Sequence, residues 1–174
     1  AGGWTHSATG AKPNGTNAYA DTHLVPSVVV ASINDYSFGI YLRDNLDGNY
    51  VDMGVVSGNH NIMYTRVGGL TYFSFGASGY ASYVTSDSRG LFTCVSRLST
   101  TQIGFNGITK KLETTDYAVS KGLASSSFYL GARNNGAGSL YSPREISFAF
   151  VGQGFTDLEM TLLYSINQTY QNKL

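Results

Sequence analysis

The sequence predicts an all-β fold, a two-sheet antiparallel jelly-roll sandwich with a short C-terminal α-helix. Three observations predict it. Apolar and polar residues alternate with a period of two in many short runs. Gly, Asn and Asp pairs separate those runs at sandwich spacing. An amphipathic segment opened by a capping pair lies at the end. Composition agrees: 13% charged residues is about half the globular norm, while 21 Gly and 13 Tyr supply turns and residues that pack on pleated surfaces.

Along the chain, Val28-Val29-Val30 is a β-branched run too short to assign by period. Phe38, Ile40 and Leu42 share one face of a strand, with Ser37, Gly39, Tyr41 and Arg43 on the other. Asp47-Gly48 separates that strand from the next, over Tyr50–Val56. Gly68-Gly69 separates Ile62–Val67 from Leu70–Phe75. Asn106-Gly107, between Thr101–Phe105 and Ile108–Thr114, is the strongest short hairpin signal a sequence offers. Phe128–Leu130 reads as a strand, and Ile146, Phe148 and Phe150 alternate with Ser147 and Ala149. Pro13, Pro26 and Pro143 fall at junctions, where a missing N–H breaks no ladder. Thr156-Asp157-Leu158-Glu159 has the form of a capping box. Leu158, Leu162, Ile166 and Tyr170 then recur every four residues, with Leu163 beside them, an apolar stripe expected to lie across the sandwich. With no repeat, low-complexity tract or linker, residues 1–174 read as one domain. The opening Ala1-Gly2-Gly3-Trp4 has neither Met nor a signal pattern, as expected of a processed product or part of a longer protein.

Zero net charge with scattered basic residues argues against nucleic acid or an anionic membrane surface as partner. The Lys110-Lys111 doublet reads as a solvated hairpin edge. No apolar run approaches the roughly 18 residues that membrane insertion requires. Cys94 is the only cysteine, so no internal disulfide forms; its apolar neighbours suit a buried small hydrophobe.

Several stretches, in order, carry a resemblance. They are Asn14–Thr22, Tyr36–Leu42, Phe92 to Asn106-Gly107, Phe128–Gly136, Arg144–Phe148, and Gly154-Phe155-Thr156-Asp157-Leu158-Glu159. Together this set resembles the concanavalin A-like lectin/glucanase superfamily, in its laminin-G-like and pentraxin-like branch. Asn14–Thr22 is similar to the branch's first core strand. Gly131-Ala132-Arg133-Asn134 with Asn135-Gly136, and Ala20-Asp21-Thr22, are similar to lectin-like domains of tailed-bacteriophage structural proteins. The resemblance implies a non-catalytic structural or adhesion domain of a virion, of head or tail fibre type, that holds host-surface glycans. Its partners would be glycans or other virion proteins, in a homotrimer, and its location the virion or the extracellular space. The alternative is a carbohydrate-binding module of a secreted bacterial protein.

The residues present speak against an enzyme. Glycoside hydrolysis needs two carboxyls flanking the scissile bond. The superfamily's glucanases carry Glu-x-Asp-x-x-Glu on one strand, whereas Glu113, Glu145 and Glu159 have no such companion here. His6, His23 and His60 stand alone, without nucleophile elbow or metal spacing. No cofactor is implied. A Ca²⁺ ion has candidate ligands in Asp44 and Asp47 within Asp44–Asn49, although an ordinary turn uses the same residues.

Binding chemistry is better represented. Sugar recognition needs aromatic faces and a few placed polar groups on loops. Arg133, Asn134, Asn135 and Tyr141 in one loop, and Tyr80 and Tyr83 in Gly79–Tyr83, are the candidate ligand-binding residues. Plain strand connection is the competing reading of both stretches, and Trp4 reads as a core residue.

Overall fold

The computed structural model describes residues 2–76, 79–97, 101–114 and 122–174. Among these, the first elements are β1 (Trp4–His6), β2 (Ala11–Pro13), β3 (Ala20–Asp21), α1 (Pro26–Val29) and β4 (Asp35–Leu42). There follow β5 (Met53–Ser57), β6 (Asn59–Val67), β7 (Leu70–Gly76), β8 (Ala81–Val84), β9 (Gly90–Arg97), β10 (Thr101–Asn106) and β11 (Thr109–Thr114). The chain closes with β12 (Tyr129–Leu130), β13 (Arg133–Asn134), β14 (Gly138–Ser139), β15 (Ile146–Gly152) and α2 (Asp157–Gln171).

The strands form two sheets. The first runs β1-β2-β15-β4-β9-β10-β11, and the second β14-β13-β5-β6-β7-β8, with β12 joining β5 to β3. Pairing between named strands is antiparallel except for β13 against β5. Period-two alternation fills the space between the sheets. Phe38, Ile40 and Leu42 of β4 face inward as predicted, with Phe92 and Cys94 of β9 beside them and Met53, Val55, Met63, Phe73 and Phe75 opposite. Rings of Phe38 and Phe75 meet edge-on at 5.1 Å. Each such buried side chain contributes about 1.5–3 kcal/mol. Burial also pushes the Cys94 thiol up, away from the reactive thiolate. Trp4 packs half-buried against the same core.

Both predicted glycine hairpins form. Gly68 and Gly69 join β6 to β7, and Gly107 turns β10 into β11, all with positive φ that an L side chain rarely adopts. Asp47-Gly48 separates β4 from β5 as expected, in a segment that crosses from one sheet to the other. Val28 and Val29, which periodicity leaves unassigned, close a single helical turn started by Pro26. Three expectations need correction. Within Asn14–Thr22 only Ala20–Asp21 is strand, since the Asn14 side chain accepts the N–H groups of Thr16, Asn17 and Ala18 and curls the chain into a turn. A register shift between Ile146 and Phe148 sends Ile146, Ala149 and Val151 to the core and leaves Phe148 and Phe150 on the outer face.

The third correction concerns α2. Its capping box forms as predicted: Thr156 Oγ1 accepts from Glu159 N at 3.2 Å, and Thr156 N donates to Glu159 Oε2 at 2.8 Å. The helix covers the outer face of the first sheet, but of the predicted stripe only Leu163 packs there, beside Met160, Asn167 and Gln171. Met160 and Leu163 pack on Val95, Ile103 and Phe105. Gln171 Oε1 accepts from Arg43 and, at 2.9 Å, from Ser147. Those contacts set the helix phase and turn Leu158, Leu162, Ile166 and Tyr170 to solvent.

One buried ion pair fastens the crossover. Arg144 Nη1 donates to both oxygens of Asp52 at 2.9 and 2.8 Å, and neither side chain is exposed. Arg144 Nη2 donates to the carbonyls of Leu46 and Arg66. Asp52 also accepts from Thr65 and Ser142, and the Tyr50 ring lies over the guanidinium at 5.2 Å.

Candidate functional site

The outward residues of β5, β6 and β7 build an apolar floor on the second sheet. Val51, Ile62 and Tyr64 cluster there, with Val56, Val67, Tyr72 and Leu140 packed against them. β13 runs beside β5 with Arg133 opposite Gly54. A Cβ at Gly54 would stand 2.6 Å from Ile62 Cγ1, so only glycine lets this floor close. Tyr80, just ahead of β8, is half-exposed and stands edge-on to Tyr64 at 5.7 Å and to Tyr72 at 6.3 Å. His60 lies 6.2 Å from the same ring. Asn49, Tyr64, Val67, Tyr72 and Tyr80 line a cleft of about 240 Å³.

Electrostatics tie these groups together. Burial raises the Tyr64 phenol well above its ordinary range; Tyr80 adds to this and Arg133 opposes it. Burial, and then the charge of Arg133, lowers His60 below its ordinary value. Arg133 Nε donates to Ser139 Oγ at 3.1 Å, and among the described residues no carboxylate lies within ion-pair distance of it. The face therefore offers ring edges, an apolar floor and a guanidinium with no carboxylate partner among the described residues, which can take a carboxylate through two parallel hydrogen bonds.

Of the predicted residues, the structure brings Arg133 and Tyr80 together here. Asn135 is exposed at the tip of the β13–β14 turn. Asn134 is buried and shapes that turn, donating to Ser127 O at 2.8 Å and accepting from Gly136 N. Tyr141 donates to Gly138 O at 2.7 Å and joins a separate tyrosine group with Tyr19 and Tyr129, whose rings stack at 4.2 Å. Tyr83 is a correction: β8 alternates so that Ala81 and Tyr83 face the core, and the Tyr83 hydroxyl donates to Phe105 O. Asp44 and Asp47 both have protein partners in the structure. Asp44 accepts from Glu145 N and pairs with Lys12, while Asp47 accepts from Gly68 N and Gly69 N and pairs with Arg66. Among the described residues no three His, Cys, Asp or Glu side chains gather as a metal site.

His60, Tyr64 and Tyr72 are the residues that sequence reasoning missed. A signal existed: Tyr64 and Tyr72 flank the Gly68-Gly69 turn at positions that pair across the hairpin. The glutamates serve elsewhere; Glu145 accepts from Ser7 and Thr9, Glu113 pairs with Lys110, and Glu159 caps α2. A larger cleft of about 670 Å³ lies at the sandwich edge between Trp4, Tyr19, Leu130 and Phe148. Its walls are mainly apolar and hold His6 and Asp21 but no Arg or Lys, whereas the tyrosine face has Arg133 hydrogen-bonded beside Tyr64, the better chemistry for an acidic ligand.

No known family profile matches the chain, and no curated protein matches it. Solved structures do. The Ruminococcus gnavus IT-sialidase CBM40 superposes with a TM-score of 0.63 at 13% identity, covering 85% of this chain and 92% of that one. The same module bound to α2,3 sialyllactose gives 0.62 at 12% identity over the same shares. The Trypanosoma rangeli sialidase in complex with the inhibitor DANA gives 0.64 at 11% identity, covering 92% of this chain but 28% of the sialidase. At such identities the likeness is one of fold: this chain has the two-sheet jelly-roll sandwich of the CBM40 module.

Proposed function

We propose that this chain is a non-catalytic carbohydrate-binding module that takes an acidic sugar on the outer face of its second sheet. The observation that carries the proposal is Arg133, with no carboxylate partner among the described residues, beside Tyr64 and Tyr80 over an apolar floor. A sugar's C–H face packs on tyrosine rings, and its carboxylate is what such a guanidinium selects. Support comes from the similar module that was solved with α2,3 and with α2,6 sialyllactose. An extracellular setting follows from that role. A virion setting, with host glycans held by the same face, rests on the sequence resemblance alone.

The test is calorimetry against sialyllactose and lactose. Arg133→Ala should lower affinity for the acidic sugar by about 10- to 100-fold, the worth of a charged hydrogen bond. Tyr80→Ala should weaken both sugars, and EDTA should change nothing. A wild-type chain blind to every acidic glycan on an array would overturn the proposal.

A further inference from the structure

Apart from Leu163, the stripe predicted to pack on the sandwich lies instead on the open side of α2. Leu158 is 70% exposed, Leu162 54%, Ile166 69% and Tyr170 49%, with Leu174 following at 39%. Meanwhile the polar Asn167 and Gln171 are buried beneath the helix. An amphipathic helix with its apolar ridge outward has an unmet partner on that side.

The ridge has a defined relief. Its residues are spaced by four, and the neighbouring row, also spaced by four, is Thr161, Ser165 and Thr169. A groove of about 320 Å³ lies along that row, lined by Ser165, Ile166, Thr169, Tyr170 and Lys173. On the other flank a groove of about 300 Å³ lies between Ile166, Tyr170, Leu163 and Phe148. A row of large residues beside a row of small ones, both with the i±4 repeat, is complementary to itself. The ridge of one helix seats in the small-residue row of another, with axes about 8–10 Å apart and crossing near −50°.

We infer that α2 is the contact of a two-fold symmetric homodimer, with the Leu158–Tyr170 ridge of each copy seated on the Thr161–Thr169 row of the other. A two-fold axis satisfies both rows at once, as an isologous interface requires. Asp157 and Lys173 are the only charged residues on the two rows, one at each end, so like copies meet without repulsion along the ridge. Counting roughly 100 Å² for each half-exposed large side chain, Leu174 included, the ridge offers at most about 500 Å² per copy, so a pair buries at most about 1,000 Å², the lower threshold of a specific contact. An interface of that size sits at the low end of specific ones, where contacts are weak and transient. Because this ridge lies over the first sheet and the tyrosine cleft on the second, the inference stands apart from the glycan reading.

Sedimentation equilibrium of the chain from about 1 to 200 μM tests it. The expected result is a monomer–dimer equilibrium, abolished across that range by Ile166→Glu and by Leu162→Glu. Both sites are exposed, so circular dichroism should stay unchanged, as should sugar affinity per chain. Oxidation of Ser165→Cys should give a covalent dimer, since Cys94 is buried and Ser165 lies mid-row. A monomer at every concentration, a trimer, or a dimer indifferent to both glutamates would each overturn the inference. So would co-sedimentation with lipid vesicles in place of self-association.

Discussion

At the scale of the residue, the tyrosine face has two basic neighbours of different kind, the Arg133 guanidinium and the His60 imidazole. His60 is held neutral by burial and then by the charge of Arg133. Its folded value lies below the ordinary 6.5, so as pH falls through 6.5 the unfolded chain binds the proton first. Stability from this group is therefore full above that value and is lost as pH falls through the folded value. A bound carboxylate reverses the bias by favouring imidazolium. Affinity for an acidic sugar should rise from pH 7 to pH 5, and His60→Ala should flatten that rise; an NMR titration of His60 with and without ligand measures both. Arg144 obeys a different rule. Arg144→Met strands the buried Asp52 carboxylate and should cost about 3–5 kcal/mol in urea denaturation, with no acid-sugar signature of its own. Arg133 and Tyr80 were legible because each sits in a Gly- and amide-rich stretch beside strands. Tyr83 was not, because its facing depends on the parity with which β8 begins. Asp44 and Asp47 read as metal ligands because a sequence lists oxygens without listing the N–H groups that already hold them.

At the scale of the element, α2 separates what local chemistry determines from what packing determines. Its capping box needs only residues three apart, and it was read directly from Thr156 and Glu159. Thr156→Ala should lower stability by about 1 kcal/mol in thermal or urea melts, through the lost cap. The buried side of the helix was not legible, because periodicity identifies a stripe without saying what that stripe meets. Arg43 and Ser147 of the first sheet offer a polar footing, and Gln171 answers it. The same limit explains β15. Its alternation was visible, but the bulge after Ile146 reassigns the aromatic residues to the other face, and no short-range signal marks it.

At the scale of the whole molecule, the sandwich and its two faces were legible from periodicity and turn spacing, while the path between sheets was not. Asp47-Gly48 marks a break between two strands in sequence, but not that the chain there changes sheets. The link that makes it do so, Arg144 to Asp52, spans 92 positions. The result is a scaffold with outward surfaces on opposite sheets, one aromatic and cationic, the other a bare helix.

The mounting of Arg133 has a kinetic consequence. β13 and β14 are two-residue strands, joined at Arg133↔Ser139 and Asn134↔Gly138 only. So short a ladder opens far more easily than the long strands beneath it. In the structure this two-strand flap already lies on β5, through Arg133↔Gly54 and Asn134↔Val55; in the proposed complex a sugar carboxylate on the guanidinium would hold it there against opening. Amides of residues 133–139 should exchange with deuterium quickly in the free protein and markedly more slowly with sialyllactose bound, by mass spectrometry, while β6 and β7 stay unchanged. The cleft's affinity is then the intrinsic grip of Arg133 multiplied by the fraction of time the flap is shut. A residue that stiffens the flap tightens binding without touching the sugar.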